Sequence, residues 1–454
     1  MAKIQKLKIH ENKRYIIRED GSQFFYMGDT AWELFHRLDR DETDYYLKNR
    51  ADKKFNVIQA VLLGEFEGLN VPNAYGRIPL LKNPGGQYDP AMPDETGEYS
   101  YWKHVDYAVE KAASLGLYIG MLPTWGDKFN QSWGKGPEIF TPENAYVYGK
   151  WVGGRYSGRD NIIWIMGGDR PLSTRAHHDI INNMASGIRD AGCAQLMTYH
   201  PTGARSSSEQ SHAEPWLDFN MIQSGHGGLN AENYRFVERD YNLTPAKPTM
   251  DGEPRYEDHA INFNSINGYF DDWDVRQALY WSVFSGACGV TYGHHSVWGM
   301  IKHGRTENKS EFANATEKEE SERVKSGYFP VSYPKALDRP GAFAVAHLVD
   351  LMNSRDFTGN IPAQEIISEN YPGAPHIRAI KNKNHAYIYS PCGLGIKVAK
   401  SKLGFAPDDF MYCNPRSGEY SRAGAEEKPG GILQFAPPSS GRNNDWVLII
   451  EQKC

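Results

Sequence analysis

The chain repeats one pattern eight times: a short apolar run that ends in turn residues, followed by a helical segment. The clearest run is Ile162 to Met166, which is followed at once by two glycines and a carboxylate, Asp169. A continuous apolar run bounded by turn residues is typical of a strand buried on both faces, as in parallel sheets covered by helices. Eight strand-then-helix units over about 340 residues predict an α/β fold, a (β/α)8 TIM barrel with insertions.

A doubly wound α/β sheet is the main alternative to the barrel. That fold would place a glycine-rich phosphate loop after its first strand, which here is Phe24 to Met27. The turn after this strand reads GDTAWE, and neither GxGxxG nor GxxxxGK[ST] occurs in the sequence. The barrel is therefore the better prediction. A long polar excursion from Glu67 to Thr96 is a candidate part of a binding cleft.

The pattern changes near Ile361, where short alternating apolar runs are separated by clusters of Gly, Pro and Asn. This texture predicts a small C-terminal antiparallel β-sandwich domain. We therefore predict two domains, a barrel with its N-terminal lead-in over residues 1–358 and an accessory β-sandwich over residues 359–454. A charged insertion from Lys302 to Arg323 precedes the last barrel helix. For the sandwich, a structural role is the simpler interpretation and sugar binding is the alternative.

Charge and composition limit the partners. The chain has 50 basic and 56 acidic residues, a net charge of −6, and no block of like charges. This argues against nucleic acid and against an anionic membrane as partners. The N-terminal residues lack an apolar signal segment, and no stretch is long enough to span a membrane. We expect a cytoplasmic protein, or a secreted one if a signal has been removed. Its oligomeric state stays open.

Polar and aromatic side chains follow the predicted strands, where a barrel gathers them into one cleft. The candidates for substrate binding are Asp29, Trp32, Glu33, Glu65, Trp125, Tyr199, His200, Gln223, His226 and Trp298. Together with Asp169 and Glu253 they form a set rich in carboxylates, imidazoles and indoles. That chemistry suits glycoside hydrolysis, because one carboxylic acid protonates the leaving oxygen while a second carboxylate attacks or guides water. The aromatic faces suit sugar rings, so an oligosaccharide is the expected partner.

Asp169 and Glu253 are the predicted catalytic pair. Retaining barrel glycosidases usually carry an acid/base after strand four and a nucleophile after strand seven, and the strand count puts these two residues there. Asp29, Glu33 and Glu65 would then hold hydroxyl groups or tune the pKa of the acid. Two plainer interpretations stay open. Asp169 would simply cap the helix that follows it, and Asp29 and Glu65 would be charge partners of Arg or His.

A metal site is the competing interpretation of such a cluster. The early HxH motif of metal-dependent barrels and the helical HExxH motif are both missing. The two histidines of each adjacent pair, at 177–178 and 294–295, would point apart. The five scattered cysteines contain no CxxC pair, and no GxSxG motif indicates a serine hydrolase. We therefore predict neither a metal nor a cofactor.

Four segments together resemble glycoside hydrolase family 140, the apiosidase-like enzymes: GDTAWELFHRL, FNVIQAVLLGEFEGLN, NIIWIMGGDRP and PTMDGEPRYE. The resemblance extends into the C-terminal domain, which in such proteins is labelled collagen-binding. It implies a retaining mechanism that releases apiose from a galacturonic acid backbone in pectin. It also implies that Asp169 in GGDRP is the acid/base and Glu253 in DGEP the nucleophile. The alternatives are a barrel glycosidase for another plant sugar and a non-catalytic carbohydrate- or matrix-binding protein.

Overall fold

The computed structural model describes residues 4–302 and 331–452 of the chain. The predicted charged insertion from Lys302 to Arg323 lies outside the described residues, apart from Lys302 itself. Within the described part of the chain, no helix is both long and apolar enough to cross a membrane.

Eight parallel strands form a nearly closed barrel, and we number them β1 to β8 in chain order. They are Tyr26–Thr30, Val57–Val61, Tyr118–Leu122, Ile162–Gly167, Met197–His200, Asn220–Gln223, Thr249–Asp251 and Gly289–Tyr292. Neighbours pair in parallel from β1 to β5 and from β6 to β8, and β8 pairs with β1. Between β5 and β6 the Asp218 N–H donates to the Met197 carbonyl at 2.8 Å. The predicted TIM barrel is confirmed.

Helices alternate with the strands along the chain. They are Leu34–Arg37, Arg40–Asp52, Tyr101–Ser114, Pro142–Tyr156, Arg175–Asp190, Ser208–Ser211, Tyr234–Tyr241, Asp272–Val283, Tyr333–Ala336 and Pro340–Asn353. Several begin at side-chain caps that satisfy backbone N–H groups of the first turn. Asp39, Thr141 and Asp271 each form a reciprocal capping box with the residue three positions later. A two-stranded hairpin, Leu7–Ile9 with Ile16–Arg18, precedes the barrel, and a second, Leu80–Lys82 with Tyr88–Pro93, lies in the polar excursion.

The barrel interior is closely packed. Gln59 on β2 crosses it and donates to Thr291 Oγ1 at 2.8 Å and to the Gly252 carbonyl at 3.0 Å. A Cβ atom at Gly120 would approach Ile165 Cδ1 to 2.9 Å, so only glycine fits there without displacing a neighbour. A filled interior leaves no channel, and the chemistry of such barrels lies at the ends of the strands.

The C-terminal domain consists of two antiparallel sheets around a core of its own. The first contains, in order, Ile361–Pro362, Arg378–Lys381, His385–Ser390, Trp446–Glu451, Asp409–Cys413 and Tyr420–Arg422. The second contains Ile396–Ala399, Ile432–Phe435 and Ala425–Lys428. The predicted β-sandwich is confirmed.

The first sheet packs on the barrel helix Asp272–Val283. Tyr280 and Tyr389 stack with ring centroids 4.7 Å apart, and the Trp281 indole donates to the His376 carbonyl at 2.8 Å. Arg276 makes a bidentate pair with the buried Asp445, with both contacts at 3.1 Å. The interface between the two domains therefore contains both packed aromatic rings and a buried ion pair.

Candidate active site

The catalytic carboxylates predicted from the sequence occupy equivalent positions on opposite parts of the barrel. Asp169 lies two residues beyond the last residue of β4, and Glu253 lies two residues beyond the last residue of β7. Both follow buried strands, whose ends at this face of a TIM barrel point into a common cleft.

A strained turn presents Asp169. Gly167, Gly168 and Asp169 have φ angles of +88°, +120° and +56°, a run of left-handed conformations that side chains rarely adopt. A Cβ atom at Gly167 would lie 2.5 Å from the Tyr199 ring, and one at Gly168 would lie 3.0 Å from the Gly126 nitrogen. The next helix is capped by Thr174 instead. The interpretation of Asp169 as a helix cap is therefore wrong, and its strain indicates a functional position.

Asp169 receives two donors on the same oxygen. The Trp133 indole nitrogen lies 3.3 Å and the Arg170 guanidinium 3.0 Å from Oδ2. Even so, burial and then the negative charge of Glu253 raise the pKa of Asp169, and these effects outweigh Arg170 and His200. A carboxyl of raised pKa is suited to act as a general acid, and Oδ1 is the oxygen that neither Trp133 nor Arg170 contacts.

Glu253 is held by two imidazoles. His200 Nε2 lies 3.0 Å from Oε2, and His226 Nε2 lies 3.2 Å from Oε1. Burial on its own would raise the pKa of this carboxyl, but the N–H groups of the two histidines outweigh it and lower the pKa to about 2. Glu253 is therefore an ionised carboxylate with both oxygens oriented.

His200 contacts both carboxyl residues. The backbone N–H of Asp169 donates to His200 Nδ1 at 3.4 Å, so this nitrogen is an acceptor and the ring proton lies on Nε2, which faces Glu253. The ring is wedged against Trp32 and Trp125, with centroids 5.3 and 5.9 Å away. These two indoles therefore position His200, and His226 lies on the other side of Glu253.

Glu65 forms the third acidic group of the site. Arg170, which is fully buried, donates from Nη2 to Glu65 Oε1 at 3.2 Å. Burial raises the pKa of Glu65 to about 8, and the charges of Asp127 and Asp169 add to the effect against the lowering influence of Arg170. Arg170 therefore bridges Asp169 and Glu65, which are both carboxyls of raised pKa.

Asp29, a predicted binding residue, lies outside this cluster. Asp29 faces a helix, where Arg50 Nε lies 2.7 Å and the Tyr46 hydroxyl 2.5 Å from Oδ2. The alternation of side chains along β1 explains this, since neighbouring positions face the barrel interior. The alternative interpretation of Asp29, that it is a charge partner of an arginine, is therefore correct. Asp29 stays buried, and burial raises the pKa of its carboxyl despite Arg50.

Glu33 and Tyr199 stabilise the surrounding loops. Glu33 accepts from His36 at 2.7 Å and from the Phe66 N–H at 3.3 Å. The Tyr199 hydroxyl donates to the Arg170 carbonyl at 2.6 Å.

Trp298 packs on the Phe66 ring at 5.0 Å, beside the loop that carries Glu65. Gln223 ends β6, buried, with its register partner on the short strand Arg205–Ser206.

Four residues near the carboxylates escaped the sequence analysis. Arg170 directly follows Asp169 and was readable in GGDRP, but nothing marked it as buried. Trp133 comes from an irregular loop without a motif. Tyr256 and His259 flank His226, with ring centroids 4.4 and 4.3 Å away. Burial and the charge of Glu253 raise the pKa of the Tyr256 hydroxyl. These residues follow DGEP in sequence, which was the one available signal.

Across residues 4–302 and 331–452, no group of three or more His, Cys, Asp or Glu side chains is placed to hold a metal ion. The histidines beside Glu253 direct their Nε2 atoms to the carboxylate. What the geometry offers is one carboxyl of raised pKa and one ionised carboxylate at a shared cleft.

A pair of carboxyls, one of raised and one of lowered pKa, at the strand ends of a TIM barrel suits glycoside hydrolysis. Sequence comparison agrees. Residues 10–359 match a family model described as "Apiosidase-like, catalytic domain", and the chain belongs to this family. Residues 361–451 match a second model, described as "Putative collagen-binding domain of a collagenase". No curated protein matches the chain in sequence.

Solved structures of similar architecture support the class. One described as a glycoside hydrolase is 30% identical, with a TM-score of 0.83 over 99% of this chain and 97% of that one. A glycoside hydrolase of family 5 from Bacteroides vulgatus is also 30% identical, with a TM-score of 0.83 over 99% and 93%. A third, from the same organism, shares 12% identity and a TM-score of 0.68 over 99% and 83%, and supports the fold alone. The protein is therefore a glycoside hydrolase whose substrate is a carbohydrate.

Proposed function

We propose that the protein is a retaining glycosidase that releases apiose from pectin-type oligosaccharides, with Glu253 as nucleophile and Asp169 as acid/base. The observation that carries this proposal is the contact of both Glu253 oxygens with imidazole nitrogens, on the cleft that also holds the buried carboxyl of Asp169. Glu253 is kept ionised by His200 and His226, whereas burial and the charge of Glu253 favour a proton on Asp169. The family match supports the sugar, since its description is apiosidase-like.

In the first step, a Glu253 oxygen attacks the anomeric carbon while Asp169 protonates the oxygen of the leaving sugar. The C–O bond to the leaving group breaks, and a glycosyl ester of Glu253 forms. The low pKa of Glu253 makes its carboxylate a good leaving group for the second step. Loss of the negative charge of Glu253 in the ester removes one cause of the raised pKa of Asp169.

In the second step, the Asp169 carboxylate takes a proton from water, and the water oxygen attacks the anomeric carbon. The ester bond breaks, Glu253 regains its charge, and the proton remains on Asp169. Two displacements at the same carbon give a product of the same anomeric configuration as the substrate. The acid/base therefore returns to its starting state.

The stereochemistry of the product tests the mechanism. NMR of the first product anomer during hydrolysis should show retention, and inversion would contradict the role of Glu253 as nucleophile. The variant Glu253→Ala should lose hydrolysis while its folded structure remains, as measured by circular dichroism. Asp169→Ala should regain turnover of an activated aryl glycoside when azide is added, and the glycosyl azide should have retained configuration.

Substrate choice needs a separate measurement. The wild-type enzyme is incubated with apiose-bearing pectin fragments and with aryl glycosides of several plant sugars, and the released sugar is identified by chromatography. Release of apiose supports the proposal. If a different sugar is released, and Glu253→Ala and Asp169→Ala are both inactive on that substrate, the proposed mechanism stands and the proposed sugar is wrong.

A further inference from the structure

Trp133 lies against the candidate acid but has no assigned role. It comes from the loop between β3 and the helix Pro142–Tyr156, and its indole nitrogen donates to Asp169 Oδ2 at 3.3 Å. Although it contacts a catalytic carboxyl, its side chain is 38% exposed, among the most exposed large aromatic residues in the described chain. An indole open to solvent beside a general acid is placed to contact the substrate.

The Trp133 ring is supported from one side. The Arg170 guanidinium carbon lies over it, 4.1 Å from the ring centroid. The same guanidinium donates from Nε and Nη2 to the Trp133 backbone carbonyl at 3.2 and 2.8 Å. Arg170 is fully buried. One face of the indole therefore packs on a fixed guanidinium, and the solvent-exposed surface of Trp133 lies on the rest of the ring.

The loop itself is tied to the catalytic turn. Asn130 Nδ2 donates to the Pro171 carbonyl at 2.8 Å, and the Gly136 N–H donates to Asp127 Oδ2 at 2.8 Å. Asp127 in turn pairs with the buried Lys128 at 2.7 Å. These contacts fix the position of Trp133 relative to Asp169 before any substrate binds, which lowers the entropic cost of using the ring as a binding surface.

We propose that Trp133 is the stacking platform for the first sugar ring on the leaving-group side of the scissile bond. The inference rests on the proposed role of Asp169 as acid. That acid must reach the oxygen of the leaving sugar, so a ring in contact with Asp169 adjoins the leaving sugar. The sugar that reacts at its anomeric carbon adjoins Glu253. A pyranose presents an apolar face of C–H groups that packs on an aromatic ring.

Two substitutions separate the stacking role from the hydrogen bond. Trp133→Phe keeps an aromatic face and loses the indole N–H, whereas Trp133→Ala loses both. Each enzyme is assayed on an oligosaccharide and on a glycosyl fluoride of the same reacting sugar, whose leaving group contains no ring and needs no proton. Tyr45 on the helix Arg40–Asp52 is 50% exposed, and Tyr45→Ala is the control for loss of exposed aromatic surface.

Trp133→Ala should lower kcat/KM on the oligosaccharide about tenfold or more, mainly through a higher KM, because stacking on the aromatic face is lost. Its kcat/KM on the fluoride should change less than about threefold. Trp133→Phe should keep most of the oligosaccharide affinity. In both variants the alkaline limb of the pH profile should move to higher pH, because the indole N–H lowers the pKa of Asp169.

Two results would overturn the proposal: an unchanged KM for the oligosaccharide in Trp133→Ala, or equal losses on both substrates. The fluoride also separates this proposal from the proposed mechanism. If Glu253→Ala still hydrolyses it, the nucleophile assignment fails whatever Trp133 does. The affinity of the oligosaccharide for Glu253→Gln is also measured with and without Trp133→Ala. The second substitution should weaken this binding by about the same factor by which Trp133→Ala lowers kcat/KM on the oligosaccharide.

Discussion

His200 Nε2 lies 3.0 Å from Glu253 Oε2, while Nδ1 of the same ring accepts the backbone N–H of Asp169 at 3.4 Å. One imidazole therefore connects the turn that carries the proposed acid to the carboxylate proposed as nucleophile. Because the backbone contact fixes which nitrogen bears the proton, the electrostatic state of Glu253 depends on the position of the β4 turn.

Removing His200 should affect the acidic limb of the pH profile. Its N–H group lowers the pKa of Glu253, so in His200→Ala that pKa rises and the carboxylate is lost at a higher pH. A hydrogen bond to a charged group is worth about 1.5–3 kcal/mol, so kcat/KM at neutral pH should fall roughly 10- to 100-fold. The measurement is kcat/KM against pH for both enzymes. An acidic limb that stays in place would show that His200 does not control Glu253.

Glu65 should make the protein less stable as the pH rises. Its folded pKa of about 8 lies above its ordinary value of 4.5, so the folded state binds more protons between these values. Stability that depends on this group is therefore complete below about pH 4.5 and is lost as the pH approaches 8. Glu65→Gln cannot ionise at this position. As the pH rises over this range, the free energy of unfolding of the wild type should therefore fall relative to that of the variant, by on the order of 3 kcal/mol. Thermal unfolding at pH 5 and pH 8 measures the difference, and an equal pH dependence in the two proteins would contradict it.

Replacement of Gly168, the glycine before the proposed acid, should abolish most of the activity. Gly168 has φ +120°, and a Cβ atom there would lie 3.0 Å from both the Gly126 nitrogen and the Trp125 ring. Gly168→Ala should therefore shift the turn that carries Asp169 and lower kcat about 100-fold, since small displacements of catalytic groups are costly. Gly158→Ala, where an added Cβ meets nothing within 4 Å, is the matched control and should keep full activity. Equal activity in the two variants would mean that the turn tolerates the strain.

The ion pair between the domains should contribute strongly to stability. Arg276 and Asp445 are both buried, and Arg276 contacts both Asp445 oxygens at 3.1 Å. Asp445→Ala removes two charge-assisted hydrogen bonds from the buried Arg276, which keeps Asp272 as its other carboxylate partner, and should cost about 1.5–3 kcal/mol. Urea unfolding followed by tryptophan fluorescence measures this cost. Asp52→Ala, which breaks the exposed pair with Lys48, should leave the unfolding curve unchanged. A similar shift of the urea midpoint in both variants would show that the buried pair stabilises the protein no more than the exposed pair does.

The architecture could be predicted because it depends on local pattern. The buried run Ile162 to Met166 became β4, and counting such runs placed Asp169 and Glu253 after the fourth and seventh strands. Alternating short runs likewise predicted the C-terminal β-sandwich. In each case the signal is carried by consecutive residues: an uninterrupted apolar run where both faces of a strand are buried, and an alternating run where one face is buried.

The direction of individual side chains could not be predicted in this way. Asp29 and Glu65 both follow the strand pattern, yet Asp29 pairs with Arg50 outside the cluster and Glu65 joins Arg170 inside it. Which way a side chain points at a strand end depends on the twist of the sheet and on partners far away in sequence. The role of Trp133 depends on a loop whose shape is set by contacts with the next strand's turn.

The sequence by itself determined the barrel, the sandwich and the two carboxyl residues, because strand burial and strand order are written in local apolar patterns. Only the tertiary structure decided the chemistry of those carboxyls. Asp169 and Glu253 have similar intrinsic acidity, and their pKa values are driven apart by burial, by each other's charge and by His200 and His226. These influences come from groups distant in sequence that act within a few ångströms, and only the folded chain brings them together.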